Sequence, residues 1–281
     1  MIFHERELIH KELLTQKNKN RSIGLVPTMG ALHQGHLTLV ARALRENDVV
    51  VVSIFVNPTQ FDNTRDLDKY PRTLVEDTKL LNKFEGTILI FAPEPRELYS
   101  GKVRAKRYRF GGLEHQMEGK YRKGHFNGVG TVLNLLFRAI EPHKAYFGEK
   151  DFQQLQIVKK LVAIEKLPVK IIGCKIVREP HGLAMSSRNK RLTPAQFKEA
   201  SFIYETLLEA RRRFPTHSIA HVQFWVEERF RNNKTLRLEY FEIANVKNLR
   251  TAIRKRKGNT YRAFIAVFAG EVRLIDNIAL N

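Results

Sequence analysis

The sequence predicts an α/β protein, with a Rossmann-like, doubly wound parallel sheet followed by a smaller C-terminal α+β domain. Short, apolar, β-branched runs bounded by Gly, Pro or Asn recur through the first part of the chain, as is typical of buried parallel strands. Helical patterns separate these runs. The alternation stops near residue 176, so we expect one domain over residues 1–176 and a second over residues 177–281.

Five runs predict the strands of the sheet, and apolar residues at helical spacing follow two of them. The runs are SIGLV (22–26), VVVSIFV (50–56), TILIFA (87–92), KAYF (144–147) and VKIIGC (169–174). The helical positions are Leu37, Val40, Ala41 and Leu44, and then Leu155, Val158 and Val162. Alternating strands and helices imply right-handed crossovers. Because such sheets bind ligands at the carboxyl ends of their strands, the loops after these runs are where a site is expected.

The C-terminal part has a different pattern. Residues 193–214 predict one long helix, with Thr193 as its N-cap and Pro194 at its first position. A second helix is predicted over residues 218–232. The segments RLEYFEIA and TYRAFIAVFAGEVRLID then predict strands joined by turns. This mixture indicates the smaller α+β domain.

Composition indicates a globular protein. Of 281 residues, 43% are hydrophobic, which suffices for one large core or two modest ones. We expect a cytoplasmic protein without membrane contact, because no signal-peptide pattern and no apolar run of about 20 residues is present. The single cysteine, Cys174, lies in an apolar run and is predicted to be a small buried hydrophobe rather than a nucleophile.

The formal charge of +20 raises the question of a nucleic-acid partner. Residues 1–176 carry 29 basic and 19 acidic side chains, and residues 177–281 carry 20 and 10, so both parts have the same excess. The charge is therefore spread over the surface, where it would attract anionic substrates such as nucleotides. No specific nucleic-acid partner is expected, although an RNA-binding module is the non-enzymatic alternative.

The loop PTMGALHQGH (27–36) follows the first predicted strand and carries two histidines three residues apart. Gly30 lets the backbone approach a ligand, while His33 and His36 open the next helix, whose N-terminus favours an anion. A metal site would need a third ligand, and HxxH lacks the Glu of the HExxH zinc motif. Phosphate contact is therefore favoured over metal binding and over a structural role, which remain alternatives.

Three further strand-end loops carry polar groups, and each could also be an ordinary turn or linker. VNPTQF (56–61) offers amides suited to hydroxyls and carboxylates. FGEKDFQQ (147–154) offers a lysine for phosphate and an aspartate for ribose hydroxyls. GLAMSSRN (182–189) combines two serines and an arginine, as a phosphate-binding loop would. The four loops together predict a nucleotide and acid site.

The motifs PTMGALHQGH, SIFVNPTQF, GHFNGVGTV, FGEKDFQQ and GLAMSSRN closely resemble those of the pantoate-β-alanine ligase (pantothenate synthetase) family. The resemblance runs in register over residues 21–193. It implies an ATP-dependent ligase in which pantoate attacks the α-phosphorus of ATP, and β-alanine then attacks the pantoyl adenylate to give pantothenate and AMP. It also implies Mg²⁺ on the phosphates and a homodimer. An HxGH adenylyltransferase with a different acid substrate is the alternative enzyme.

The resemblance also implies the site residues. It gives catalytic roles to His33, His36 and Lys150, pantoate contacts to Gln60 and Gln154, a β-alanine contact to Gln60 and a Mg²⁺ contact to Asp77. The ATP site would comprise Met29, Gly30, Ala31, Leu32, His33, Gln34, Gly35, His36, Gly148, Glu149, Lys150, Asp151, Val177, Met185, Ser186, Ser187 and Arg188.

The sequence departs from the family pattern at a few positions. Gln34 stands where Glu is usual, and Lys123 replaces the proline of an Arg-Pro-Gly-His-Phe motif. Pro180 and His181 stand where Ala and Asp are usual, which removes a carboxylate beside the serine-containing loop. His181 is expected to be a surface substitution, with an added anion contact as the alternative.

Overall fold

The computed structural model describes residues 1–62, 64–99 and 101–281. Its larger sheet is parallel throughout, with the strand order β1-β4-β3-β2-β5-β6. The strands are β1 (Ile2–Phe3), β2 (Ile23–Thr28), β3 (Val49–Ile54), β4 (Thr87–Phe91), β5 (Lys144–Gly148) and β6 (Lys170–Cys174). The five predicted strands are confirmed. β1 was not predicted, and its two residues pair with Ile90 and Phe91 of β4.

Eleven helices are found in the described part of the chain. They are α1 (Arg6–Asn18), α2 (Gln34–Glu46), α3 (Thr64–Asp68), α4 (Leu74–Leu81), α5 (Pro95–Tyr99), α6 (Glu118–Tyr121), α7 (His125–Ile140), α8 (Phe152–Ile164), α9 (Pro194–Glu199), α10 (Ser201–Arg213) and α11 (Ile219–Arg231). None of them, over the residues that the structure describes, is long and apolar enough to cross a membrane.

Helices cover both faces of the parallel sheet. Side chains of α1, α7 and α8 share a core with Leu25, Val51 and Phe91. Side chains of α2 and α4 share a second core with Val26 and Val52. Neighbouring residues of one strand thus enter different cores, which explains why the strands are continuous apolar runs rather than alternating ones. The predicted doubly wound fold is confirmed.

A second, antiparallel sheet of three strands follows in the order β7-β8-β9. Its strands are β7 (Leu236–Asn245), β8 (Tyr261–Ala269) and β9 (Val272–Ala279). α10 and α11 share a core with part of this sheet. Tyr240, Phe264 and Ala266 instead join the core under α7 and α8, so the second sheet packs against the first domain. The predicted α+β portion is confirmed, and the boundary at residue 176 stays a prediction.

The helix predicted over residues 193–214 is two helices. Thr193 caps α9 as predicted: its Oγ1 accepts a bond from Gln196 N at 3.2 Å, and Gln196 Oε1 accepts one from Thr193 N at 3.0 Å. Ala200 separates α9 from α10. There the bond from Ile203 N to Ala200 O, at 3.2 Å, spans three residues instead of four. This tighter turn offsets the two helices.

Candidate active site

The strand-end loops converge on one cavity of about 230 Å³. They meet there because β3, β2, β5 and β6 are consecutive in the sheet and parallel. Fourteen of the residues predicted for the site line this cavity: Met29, His33, Gly35, His36, Gln60, Gly148, Lys150, Asp151, Gln154, Val177, Met185, Ser186, Ser187 and Arg188. The other predicted residues, Gly30, Ala31, Leu32, Gln34, Asp77 and Glu149, are not among its lining.

We call residues 29–36 the histidine loop. Its end is the N-terminus of α2, where His33 is the N-cap and its Nδ1 accepts a hydrogen bond from Gly35 N at 3.1 Å. The two imidazole centroids, of His33 and His36, lie 4.0 Å apart. Because Nδ1 of His33 is an acceptor, the neutral ring carries its proton on Nε2. A Cβ at Gly35 would lie 2.8 Å from the His33 ring, so only glycine leaves room for this arrangement.

Both imidazoles are neutral near pH 7. Burial, with help from Lys150 and Lys190, lowers the pKa of His33 to about 4. Burial, with help from His33 and Lys150, lowers the pKa of His36 to about 3. His36 Nδ1 is buried and has no hydrogen-bond partner among the described residues. A polyanion bound at this helix start would favour protonation of His36, since an opposite charge nearby raises the pKa of a base.

Asp77 holds the histidine loop through two hydrogen bonds to its backbone. Its Oδ2 accepts a bond from Ala31 N at 2.9 Å, and its Oδ1 accepts one from Leu32 N at 2.7 Å. These bonds fix a stretch in which Gly30 and Ala31 both have positive φ, 82° and 51°. Asp77 is 1% exposed. Its carboxylate therefore holds the loop in place, and the Mg²⁺ contact that the resemblance implies for Asp77 stays a prediction.

Gln60 is held on two sides. Asn57 Nδ2 donates to its side-chain Oε1 at 3.1 Å, and its Nε2 lies 3.2 Å from the sulfur of Met29. His125 Nδ1 lies 2.8 Å from the main-chain oxygen of Gln60. His125 had no predicted role, although it lies in the motif GHFNGVGTV, because its burial and its contact with Gln60 are visible only in the folded structure.

The turn after β5 is tied to the second sheet. Asn277 on β9 donates from Nδ2 to the carbonyls of Glu149, at 2.9 Å, and Lys150, at 2.8 Å. The Glu149 side chain pairs with Arg262 at 3.4 Å, which accounts for its place outside the cavity lining. The Lys150 ammonium is 3.8 Å from the Asp151 carboxylate. Lys150 thus lines the cavity, and its ion pair with Asp151 is long and weak.

We call residues 185–191 the serine loop. Ser186 N-caps a short 3₁₀ turn, Ser187–Arg191, by accepting a bond from Arg188 N at 3.3 Å. Asp66 on α3 accepts from Arg188 at 2.7 Å and from Arg191 at 2.9 Å. Ser187 Oγ hydrogen-bonds with the Tyr70 hydroxyl at 3.1 Å. Arg188, which was predicted to bind phosphate, is therefore paired with the carboxylate of Asp66.

The departures from the family pattern lie outside the cavity. His181 Nε2 is 3.0 Å from Phe197 O, and its ring packs on the Phe197 ring at 4.6 Å. This histidine has a packing role, which agrees with the surface substitution expected for it. Gln34 and Lys123 are exposed. Arg122, Tyr70 and Lys175 line the cavity and were not predicted. Arg122 and Tyr70 belong to no loop that directly follows a predicted strand, whereas Lys175 does follow the run VKIIGC (169–174) and was not recognised.

A doubly wound parallel sheet with an anion-favouring histidine helix start, an opposed lysine and a serine-arginine loop defines a nucleotide-binding α/β enzyme. A model of the family described as pantoate-beta-alanine ligase matches residues 1–279. The chain belongs to the pantoate-β-alanine ligase family. The predictions of fold, family and ligase activity are confirmed.

Curated relatives and solved structures agree with this family. The chain is 56% identical to the pantothenate synthetase of Christiangramia forsetii over 280 residues, covering 100% of this chain and 99% of the relative. The Flavobacterium psychrophilum pantothenate synthetase is 51% identical, with 100% of both chains covered.

Two solved structures extend the comparison to the fold. The Thermus thermophilus pantothenate synthetase matches 99% of both chains at a TM-score of 0.90 and 39% identity. The Francisella tularensis pantoate-beta-alanine ligase, solved in complex with beta-gamma ATP and beta-alanine, matches 100% of this chain and 97% of its own at a TM-score of 0.82 and 35% identity.

Proposed function

We propose that the cavity between the histidine loop and the serine loop carries out both steps of the ATP-dependent joining of pantoate to β-alanine. The observation that carries this proposal is the convergence of His33, His36, Lys150 and the serine loop on the same 230 Å³ cavity as Gln60 and Gln154. Groups suited to phosphates and groups suited to a hydroxy acid thus face one space. A carboxylate and the α-phosphorus of ATP can meet there.

In the first step the pantoate carboxylate attacks the α-phosphorus, and pyrophosphate leaves. This displacement needs positioning and charge stabilisation more than covalent catalysis. His33 presents its Nε2–H from the start of α2, and His36 lies beside it. Lys150 and Arg188 add positive charge. The phosphates favour protonation of His36, whose hydrogen bond then strengthens as negative charge moves to the leaving group. His33 stays neutral, keeps its bond from Gly35 N and donates from Nε2.

The remaining nucleotide contacts come from the backbone and from small or apolar side chains. The ATP-binding residues that we propose are those that the resemblance implies: Met29, Gly30, Ala31, Leu32, His33, Gln34, Gly35, His36, Gly148, Glu149, Lys150, Asp151, Val177, Met185, Ser186, Ser187 and Arg188. Those outside the cavity lining act through the main chain or through the shape of their loop.

Pantoate binds between Gln60 and Gln154 in the proposed complex. Both amides line the cavity, and their donors and acceptors suit the hydroxyls and carboxylate of this acid. Val129, Val132 and Leu136 of α7 form an apolar wall of the same cavity. This wall matches the two methyl groups of pantoate.

In the second step the amine of β-alanine attacks the acyl carbon of the adenylate, and AMP leaves. Gln60 lies beside that carbon in the proposed complex and also contacts β-alanine. Asn57 holds the side-chain amide of Gln60 and His125 holds its main-chain carbonyl, so the residue is fixed before substrate arrives. Preorganisation of this kind lowers the cost of aligning the reacting groups.

Mg²⁺ enters this proposal as part of the substrate, carried on the phosphates of ATP. No group of three or more metal-ligating side chains occurs among residues 1–62, 64–99 and 101–281, and Asp77 is committed to the histidine loop. Mg²⁺ commonly keeps several waters and binds through substrate phosphates, which is compatible with this sparse protein contribution. We also propose the homodimer implied by the resemblance, to be tested by light scattering, and a cytoplasmic location.

Product analysis tests the proposal. The protein is incubated with ATP, Mg²⁺, pantoate and β-alanine, and we expect AMP and pantothenate in equal amounts. Pantoate-dependent exchange of pyrophosphate into ATP isolates the first step. A panel of other acids in the same exchange assay tests the alternative adenylyltransferase. Exchange with another acid and none with pantoate would overturn the proposal.

A further inference from the structure

Arg122 lies where three cavities of the cleft meet. It lines the 230 Å³ cavity of the candidate active site, a second cavity of about 420 Å³ and a small one of about 30 Å³. Its side chain is 20% exposed. One Nη lies 3.5 Å from the carbonyl oxygen of Gln60. The guanidinium thus faces the acid-binding part of the site.

The four arginines that line these cavities differ in their partners. Arg188, Arg191 and Arg273 each donate to a carboxylate oxygen at 2.7–2.9 Å. Among the residues that the structure describes, Arg122 has no carboxylate at hydrogen-bond distance, and its pairs with Glu118 and Asp62 measure 3.7 and 3.9 Å.

Glu118 cannot take up the charge of Arg122 because its carboxylate is already occupied. Arg273 donates to its two oxygens at 2.7 Å each, and the Tyr240 hydroxyl donates to Oε1 at 2.9 Å. Burial lowers the pKa of Arg122. A buried guanidinium without a close anion is costly to hold, and a ligand carboxylate would offset that cost.

His125 fixes the orientation of Arg122. Burial and the charge of Arg122 lower the pKa of His125 to about 3, so its ring is neutral and carries one proton. A carbonyl only accepts, so the 2.8 Å contact with Gln60 O places that proton on Nδ1. Nε2 is then the acceptor for Arg122 Nη1 at 3.2 Å. This bond uses one of the five guanidinium N–H donors and fixes the orientation of the guanidinium plane.

One anionic group of the proposed reaction is still without a cation. The triphosphate has the histidine loop, Lys150 and the serine loop, and the pantoate carboxylate is itself the group that reacts. β-Alanine reacts through its amine, so its carboxylate stays ionised through both steps. We propose that Arg122 binds the β-alanine carboxylate and so selects an amino acid over a simple amine. This inference rests on the proposed function.

The test uses Arg122→Gln, which removes the charge but keeps an N–H donor for His125. Loss of a charge-assisted hydrogen bond predicts that the KM for β-alanine rises about 10- to 100-fold. The KM for ATP should change by less than about threefold. Arg122→Lys, which keeps the charge without the fork, should give an intermediate KM, and it also serves if the glutamine variant does not fold. Lys123→Met removes a charge from the exposed neighbour and should leave the KM unchanged.

An acceptor without a carboxylate separates binding from a structural role. With propylamine in place of β-alanine, the wild-type protein should react poorly, and Arg122→Gln should react no more poorly than wild type. A structural defect would slow both acceptors equally, and that result would overturn the inference, as would an unchanged KM for β-alanine. Failure of the wild-type protein to exchange pyrophosphate with pantoate would instead overturn the proposed function, so the two failures are distinguishable.

Discussion

The histidine loop and the serine loop face each other across the cavity, but they are held in different ways. The histidine loop is braced from beneath by Asp77, whose bonds go to the backbone N–H groups of Ala31 and Leu32. The serine loop is held by Asp66, which bonds the side chains of Arg188 and Arg191. Asp77 thus leaves the side chains of the histidine loop free for a ligand, whereas Asp66 occupies two cationic side chains of the serine loop.

The difference separates a preformed part of the site from an exchangeable part. The two bonds from the histidine loop to Asp77 need not change when phosphates arrive, because Asp77 is not in the cavity lining. Arg188 can bind a phosphate only in competition with the carboxylate of Asp66, since both ligands are anions. The histidine loop should therefore determine the rate of adenylate formation, and the Asp66 contact should weaken apparent ATP affinity.

Replacing His36 should have the largest effect. His36→Ala removes a donor from the preformed part, and loss of one such donor to a transition state typically lowers the rate by about 10² to 10³. Pantoate-dependent pyrophosphate exchange measures this step. His181→Ala, which removes an imidazole that packs on Phe197, is the control and should retain exchange. Wild-type exchange in the His36 variant would remove that residue from the mechanism.

Gly35→Ala tests whether the geometry of the histidine loop matters as much as its composition. The added methyl group would lie 2.8 Å from the His33 ring, so the ring must move and lose its bond from Gly35 N. We expect exchange to fall by about 10- to 30-fold, which corresponds to about 1.4–2 kcal/mol of positioning. In a protein that already carries His33→Ala, adding Gly35→Ala should lower exchange little further, because the ring that the methyl group displaces is absent. Additive losses would contradict this explanation.

Acid should destabilise the histidine loop but not the serine loop, because only the histidine loop contains histidines. The pKa of His36 falls from 6.5 to about 3 on folding, so the unfolded chain binds more protons between these values and stability decreases as pH falls below 6.5. The contribution is up to about 1.4 kcal/mol per pH unit. Urea unfolding at pH 7 and pH 5 measures it. His36→Asn should show a shallower pH dependence, and an unchanged slope would mean that His36 does not contribute.

Asp66→Asn should give the smallest effect, in the opposite direction. Removing the charge frees Arg188 and Arg191 for phosphate, and we expect the KM for ATP to decrease about three- to fivefold, as it does when a competing state is depopulated. Asp68→Asn, at an exposed position of the same short helix, is the matched control. An increased KM for ATP would show that Asp66 supports the nucleotide site instead of competing for it.

Local sequence patterns predicted the elements that bury long apolar runs. The five strands and the Thr193 cap are such features, because continuous β-branched runs and a capping residue act within a few positions of themselves. β1 escaped because two residues show no periodicity, and Ile2 and Phe3 become a strand only by pairing with β4. The break at Ala200 was not predicted either, since alanine is a good helix former and does not mark the tighter turn found there.

The part of the site that depends on contacts between distant residues could not be predicted. Asp77 reaches Leu32 across 45 positions, and His125 reaches Gln60 across 65. Nothing local distinguishes a carboxylate that braces a backbone from one that binds a metal. Arg122 stands out only when its carboxylate distances are compared with those of the other arginines in the cleft. The strand ends predicted where the cavity lies, and only the folded structure shows which side chains hold its loops in place.

The contact of Asn277 with the turn after β5 has a consequence for the order in which the molecule is made. Asn277 is synthesised 127 residues after Lys150, whose carbonyl it binds. On the ribosome the parallel sheet can therefore assemble while this turn still lacks its final hydrogen bonds. The nascent first domain would resemble the mature one in fold and differ from it at Lys150, so the enzyme would acquire its charge-positioning turn only after β9 has emerged.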